Sequence, residues 1–125
     1  MIQIELPFPP SVNRYWRSVK GRVLISKEGR EYREKVVWRV RQNMQQHKRS
    51  YGDDRLSVLI VAYPPDARRR DLDNLPKAVL DALQHAGLYK DDSQIDDLHI
   101  TRGVIIKPGK LVVTISSIEA DQRAA

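Results

Sequence analysis

The chain has 125 residues, 41% of them hydrophobic, and carries Lys+Arg 22 against Asp+Glu 16, a net charge of +6. That length is about one ordinary domain, large enough for a single buried core. The absence of cysteine excludes disulfides, thiolate zinc sites and cysteine nucleophiles.

Ile2, Ile4 and Leu6 alternate with polar residues, so Ile2–Leu6 reads as a strand that Pro7, Pro9 and Pro10 stop. After Ser11–Trp16, the segments Arg17–Val19 and Arg22–Ile25 form a hairpin around Lys20-Gly21. Ser26 caps a helix expected to run to about Arg49. Its apolar stripe is Tyr32, Val36, Val37, Val40 and Met44, one helical face, with Gly29 weakening the first turn. Tyr51–Asp54 is a turn. Leu56–Tyr63 (LSVLIVAY) is nearly all apolar, which predicts a central strand buried on both faces. Pro64–Arg70 is a loop, and Leu72, Leu75, Val79, Ala82, Leu83 and Ala86 mark a second amphipathic helix closed by Gly87. Pro76 is comfortable only in a first turn, so that helix begins between Asp71 and Leu75. Tyr89–Asp97 reads as an acidic loop. Leu98–Ile106 and Leu111–Ile118 read as strands around a Lys107–Lys110 turn. The expected architecture is α+β: one domain over residues 1–120, a small mixed sheet packed with two main helices, and a frayed tail over 121–125.

The longest stretch without a charged residue, Leu56–Pro65, is too short to cross a bilayer, which takes about 20 apolar residues. The opening MIQIELPFPP lacks the basic start and apolar block of a signal peptide. A soluble cytoplasmic protein with no membrane contact is expected. Charge is unevenly spread. Up to Arg49 there are 12 basic and 4 acidic residues; beyond it there are 10 basic and 12 acidic. A basic half beside an acidic half suits a polyanion-binding enzyme with a carboxylate site.

The glycines form neither a GxGxxG nor a Walker loop, and the three histidines have no paired spacing. The run Arg68–Lys77 (RRRDLDNLPK) is richer in chemistry. Three arginines lead into Asp71 and Asp73, then Asn74 and Lys77. At a strand-to-helix junction the two carboxylates share a side, which makes half of a site for a hard cation such as magnesium. A third carboxylate comes from Asp91-Asp92 or Asp96-Asp97, and spacing alone does not choose among the four. A lysine beside such a site neutralises charge building on a transferring phosphate. Arginines alongside hold flanking phosphates. The same residues have plainer uses: a helix cap at Asp71 or Asp73, a solvated arginine loop, and Lys77 paired with Asp73 or Asp81 at helical spacing.

The chain resembles the RusA family of Holliday junction resolvases over nearly its whole length. The resemblance is carried by LPFPPSVNRYWR (Leu6–Arg17), SKEGREYR (Ser26–Arg33), RRRDLDNLPKAVLDAL (Arg68–Leu83) and GLYKDDSQIDD (Gly87–Asp97). It implies a homodimeric, magnesium-dependent endonuclease, with manganese a possible substitute, often prophage-borne, that binds four-way DNA junctions and nicks them symmetrically. It implies that Asp71, Asp73 and Asp92 are the catalytic, metal-holding carboxylates and Lys77 the functional lysine. It matches Arg70 and Asn74 to the family's arginine and asparagine. Arg68, Arg69, Arg70, Asn74, Asn13, Arg14 and Arg17 are the expected DNA contacts. Two other readings remain at this point: a non-catalytic branched-DNA-binding module, and a less selective metal-dependent nuclease.

Overall fold

The computed structural model describes residues 1–47 and 51–118; the end of the long helix expected at Arg49 and the tail over 121–125 lie outside the described residues. Strand β1 (Ile2–Pro7) alternates buried isoleucine and leucine with exposed polar residues, as its period-two pattern requires. A short helix α1 (Val12–Tyr15) follows, which the sequence pattern did not reveal because four residues give no periodicity. Strands β2 (Trp16–Val19) and β3 (Arg22–Ile25) pair with each other alone. Their two-residue turn has Lys20 at φ 51 and Gly21 at φ 76. Both central residues at positive φ make a turn whose twist matches the strands.

Helix α2 (Lys27–His47) starts where expected. The Ser26 hydroxyl accepts from the Gly29 N–H at 3.0 Å. Gly29 does more than weaken the first turn. A Cβ there would lie 2.5 Å from the Tyr15 carbonyl and 2.7 Å from Ile25 Cγ1, so the helix start approaches α1 only because residue 29 has no side chain. Tyr32, Val36 and Val40 are buried, and Met44 packs at the edge of the core.

Strand β4 (Leu56–Tyr63), helix α3 (Leu75–His85) and strand β5 (Ile95–Arg102) form a parallel crossover unit. Strand β6 (Lys110–Ser117) then enters between β1 and β4, antiparallel to both. The four-stranded order is β1-β6-β4-β5, a mixed sheet as the α+β expectation required. One face carries Ile2, Ile4, Leu6, Leu56, Val58, Ile60, Leu111, Val113 and Ile115 into the core, against α2 and α3. No helix among the described residues covers the opposite face. The expectation that β4 is buried on both faces is therefore corrected: its burial alternates, and Leu59 is 41% exposed. Parallel pairing with β5 alone did not bring a second helical layer.

β5 also begins earlier than expected and ends earlier. Asp96 and Asp97, which looked looplike, lie within it, and Leu56↔Ile95 followed by Ser57↔Asp97 leaves Asp96 as a bulge. The strand stops at Arg102 because Gly103 passes under Tyr63; a Cβ at 103 would be 2.6 Å from that ring. The four tyrosines of the core each place a hydroxyl on an acceptor: Asp81 for Tyr15, and the carbonyls of Pro7, Ile115 and Leu80 for Tyr32, Tyr51 and Tyr89. Burial of these rings thus leaves no phenol stranded.

Candidate active site and nucleic-acid interface

The crossover between β4 and β5 carries every expected catalytic residue. Its first part, Pro64–Arg70, is braced by Asp66. Asp66 accepts from the Arg68 N–H at 2.9 Å and pairs with Arg70 Nη1 at 2.9 Å and, more loosely, with Arg68 Nε at 3.6 Å. The Arg70 guanidinium, then the Arg68 amide, hold the Asp66 carboxyl below the usual carboxylate range. Arg70 also lies over the Phe8 ring at 5.4 Å. Arg69 has no ion-pair partner among the described residues. Arg69, Arg70, Asp71 and Asn74 line one cleft with Phe8–Ser11, 260 Å³ in volume.

Asp71 is extended, with φ −90 and ψ 129, and immediately precedes a 3₁₀ turn, Leu72–Asn74, which continues into α3. Its position is that of a cap, yet its side chain accepts no capping hydrogen bond. Pro76 stands in the first turn of α3, where its missing N–H costs nothing. Asp71, Asp73, Asn74 and Lys77 are all exposed. Among the described residues none of these four side chains has a hydrogen-bond or ion-pair partner. Lys77 in particular does not pair with Asp81.

Asp81 is taken up elsewhere. Its Oδ2 receives Arg33 Nη2 at 2.8 Å, Arg33 Nε at 3.0 Å and the Tyr15 hydroxyl. This links α1, α2 and α3 at one point. Burial, then the hydrogen bond to the Asp81 carboxylate, pushes the Tyr15 phenol well above its ordinary range, so it remains a donor. Sequence spacing missed this trio, since its members are 18 and 48 residues apart; three separate elements had to be placed before it existed.

Past α3, Leu88 and Tyr89 return to the core and a second 3₁₀ turn, Asp92–Gln94, follows. Asp91 caps it, accepting from the Ser93 N–H at 2.9 Å. That bond holds the Asp91 carboxyl down. Gln94 is 6% exposed and fully engaged. Its Oε1 accepts from the N–H groups of Lys90 (2.9 Å) and Asp91 (2.8 Å). Its Nε2 donates to the carbonyls of Gly52 and Asp54, each at 2.8 Å. Gln94 therefore staples the acidic loop to the 51–54 turn, a role its sequence context did not signal. Of the four candidate third carboxylates, Asp96 is bound to Arg55 at 3.0 Å, Asp97 accepts from Ser57 at 3.1 Å and lies 3.0 Å from His99, and Asp91 is a cap. Among the described residues Asp92 alone of the four neither caps a turn nor pairs with an arginine, histidine or hydroxyl side chain. Partial burial, then its neighbour Asp91, raises its carboxyl above the ordinary value.

Asp71 and Asp73 lie at the N-terminus of α3, Lys77 and Asp81 follow along it, and Asp92 lies beside its C-terminal half, where its N–H reaches Gln84 Oε1 at 3.0 Å. Eleven helical residues measure about 16 Å. The aspartates have the oxygen donors a hard cation takes. A single chain does not gather them: among the described residues no three carboxylates or imidazoles converge. Of the expected DNA contacts, Arg14 joins Arg68, Arg69 and Arg70 around one depression, while Asn13 and Arg17 line another with Lys77. No helix among the described residues is long and apolar enough to cross a membrane.

Comparison with known proteins identifies the family. Residues 7–116 match the family described as endodeoxyribonuclease RusA. The crossover junction endodeoxyribonuclease of Enterobacteria phage HK97 is 42% identical over 118 residues, covering 94% of this chain and 96% of that protein. Those of Shigella sonnei and Escherichia coli K12 are 41% and 40% identical over 115 residues, covering 92% of this chain and 93% of each relative. By sequence across nearly its full length, with the Arg68–Asp92 motifs on one crossover, this chain belongs to the endodeoxyribonuclease RusA family.

Proposed function

We propose that the protein is a structure-selective endodeoxyribonuclease that resolves four-way DNA junctions by paired symmetric nicks, leaving 5′-phosphate and 3′-hydroxyl ends, in recombination and repair. The observation that carries this reading is the unpaired set Asp71, Asp73 and Lys77, exposed together at the start of α3 beside a cluster of arginines. Arg69, Arg14 and Arg17 contact phosphates and orient the DNA without reading bases. Asp66 holds Arg70 in place while the Phe8 ring supports its guanidinium plane. Lys77 supplies positive charge where the transferring phosphate gains negative charge. The protein acts in the cytoplasm on branched DNA.

A divalent cation belongs to this reading, Mg2+ with Mn2+ as a substitute, since Asp71 and Asp73 are oxygen ligands of the type it takes. Because no three carboxylates converge among the described residues of one chain, the reading includes a homodimer in which the Asp92 of one copy completes the carboxylates of the other. A dimer also matches the substrate, as a four-way junction can be two-fold symmetric and two sites can nick opposing strands.

The test is cleavage of a four-way junction and of a linear duplex of the same sequence, each with Mg2+ and with chelator. Paired nicks in the junction with Mg2+ support the proposal. Binding without cleavage under any metal assigns the chain to the non-catalytic modules. Equal cleavage of both substrates makes it an unselective nuclease.

A further inference from the structure

The β2–β3 hairpin stands apart from the main sheet, and two strands alone are marginal in water. Its base is nevertheless fixed. The Ser26 N–H donates to the Tyr15 carbonyl at 2.9 Å, and Trp16 packs edge-on to Tyr15 with ring centres 4.8 Å apart. Its tip is a tight turn with Lys20 in the left-handed region, a conformation retained without glycine's freedom. The hairpin carries Arg17, Lys20 and Arg22 and no acidic residue, and none of the three has an ion-pair partner among the described residues.

Between this hairpin and α3 runs an open groove of 680 Å³. Its walls are Val12, Trp16 and Val23; its cations are Arg17 and Lys77; Asn13 adds an uncommitted amide; no carboxylate lines it. Val23 is 71% exposed and Trp16 half-buried. A volume of this size lies within the range of small-molecule sites, about 300–1,000 Å³. Flat apolar walls with two unpaired cations match a ligand that joins an aromatic face to a phosphate. A second copy of the same basic surface would be repelled.

We propose that this groove receives one unstacked nucleotide of the branched DNA, its base against Trp16 and Val23 and its phosphate against Arg17 and Lys77. The proposal rests on the junction-resolving reading and gives it a source of selectivity. In continuous duplex every base face is covered by its neighbours, and exposing one costs unstacking. At a branch point that cost is smallest, so a site that demands a free base face favours branched over linear DNA.

The test uses Trp16→Leu, which keeps apolar packing against Tyr15 but removes the stacking surface, and Val23→Ser, an outward-facing change that leaves the fold's core untouched. Binding to a four-way junction and to linear duplex is measured in chelator, with 2-aminopurine at the crossover bases reporting unstacking. Trp16→Leu should lose about tenfold in junction affinity, a typical worth of one base–aromatic contact, and Val23→Ser a smaller but measurable part of that. Duplex affinity should stay within twofold, and the 2-aminopurine signal of the parent should diminish. Equal losses for junction and duplex would overturn the proposal, since the groove would then only track phosphates. Unchanged junction affinity in both variants would overturn it as well. A shift of either variant to a smaller species in sedimentation would assign the groove to a second copy instead. A parent with no junction preference would sink the function itself, an outcome separate from a parent whose preference survives both substitutions.

Discussion

Gln94→Leu isolates the staple that holds the acidic loop. The glutamine makes four hydrogen bonds to backbone groups, two accepted and two donated, all between 2.8 and 2.9 Å. Leucine is close in size and removes them all, stranding two N–H and two C=O groups. A typical bond contributes about 1 kcal/mol net, and a stranded buried group costs about 1–3 kcal/mol. Asp53, Asp54, Lys90 and Asp91 are exposed residues, so water can reach part of this backbone after the staple is cut. A loss of about 3–4 kcal/mol follows, a large share of the roughly 5–15 kcal/mol that stabilises a domain. With a urea slope of about 1–3 kcal/mol per M, the unfolding midpoint should fall by about 1–4 M. Gln94→Glu refines the test. The carboxylate keeps the two accepted bonds but faces two carbonyls, so burial and those oxygens raise its folded pKa above the unfolded value of about 4.3. An acid with a raised folded pKa contributes stability at low pH that is lost as pH rises through the folded value. The Glu variant should therefore be nearest the parent at about pH 4 and weakest at neutrality. A Leu variant whose midpoint stays within about 0.5 M of the parent, under 1.5 kcal/mol by the same slope, would refute the staple.

Asp71→Asn and Asp92→Asn should each abolish junction cleavage while leaving binding in chelator at least equal, since a ligand and a negative charge near DNA are lost together. If two chains share each site, mixing these variants should restore nicking of one strand per junction; a mixture that stays inactive points to sites within single chains. Lys77→Ala should slow single-turnover cleavage by about 100-fold or more, the scale of losing one transition-state donor, with affinity in calcium only modestly reduced; a rate within threefold would return Lys77 to a solvated helix face. Junction affinity plotted against salt on logarithmic axes should fall steeply as arginines release counterions, and a flat plot would exclude phosphate tracking. Gly29→Ala should destabilise the fold by about 1–3 kcal/mol in urea unfolding because its Cβ meets the Tyr15 carbonyl; an unchanged midpoint would show that α1 yields freely.

Local pattern sufficed for the elements that depend on local pattern. The strand at Leu56–Tyr63, the turn at Lys20-Gly21, the Ser26 cap and the start of the second long helix behind Pro76 were all readable from residue order. The start of β5 was not, because Asp96 and Asp97 are strand residues only by virtue of Arg55, Ser57 and the ladder to β4. The candidate site divides in the same way. Asp71, Asp73 and Lys77 are neighbours in sequence and remain so in space. That Asp91, Asp96 and Asp97 are engaged by a cap, an arginine and a serine was hidden in the sequence, and it supports Asp92 as the proposed third carboxylate. The distance from Asp92 to the other carboxylates was hidden in the sequence, since it is set by which way the chain turns after Gly87. Tyr15, Arg33, Asp81 and Gln94 were equally hidden: each matters through a partner far along the chain.

The position of β6 bears on how the protein is made. Among the described residues it is the final strand in chain order, yet it lies inside the sheet, and β1 has no other ladder partner. While the ribosome is still working, Ile2, Ile4 and Leu6 have helix α2 to pack against but no strand to pair with, and β4 can pair only with β5. At a synthesis rate of about 5–20 residues per second, the nascent chain waits several seconds in an open form until Leu111, Val113 and Ile115 emerge. Folding is then a single late event that zips the first strand to the last. A ribosome that stops anywhere before Lys110 releases a polypeptide whose sheet is split between β1 and β4 and whose core lacks Leu111, Val113 and Ile115.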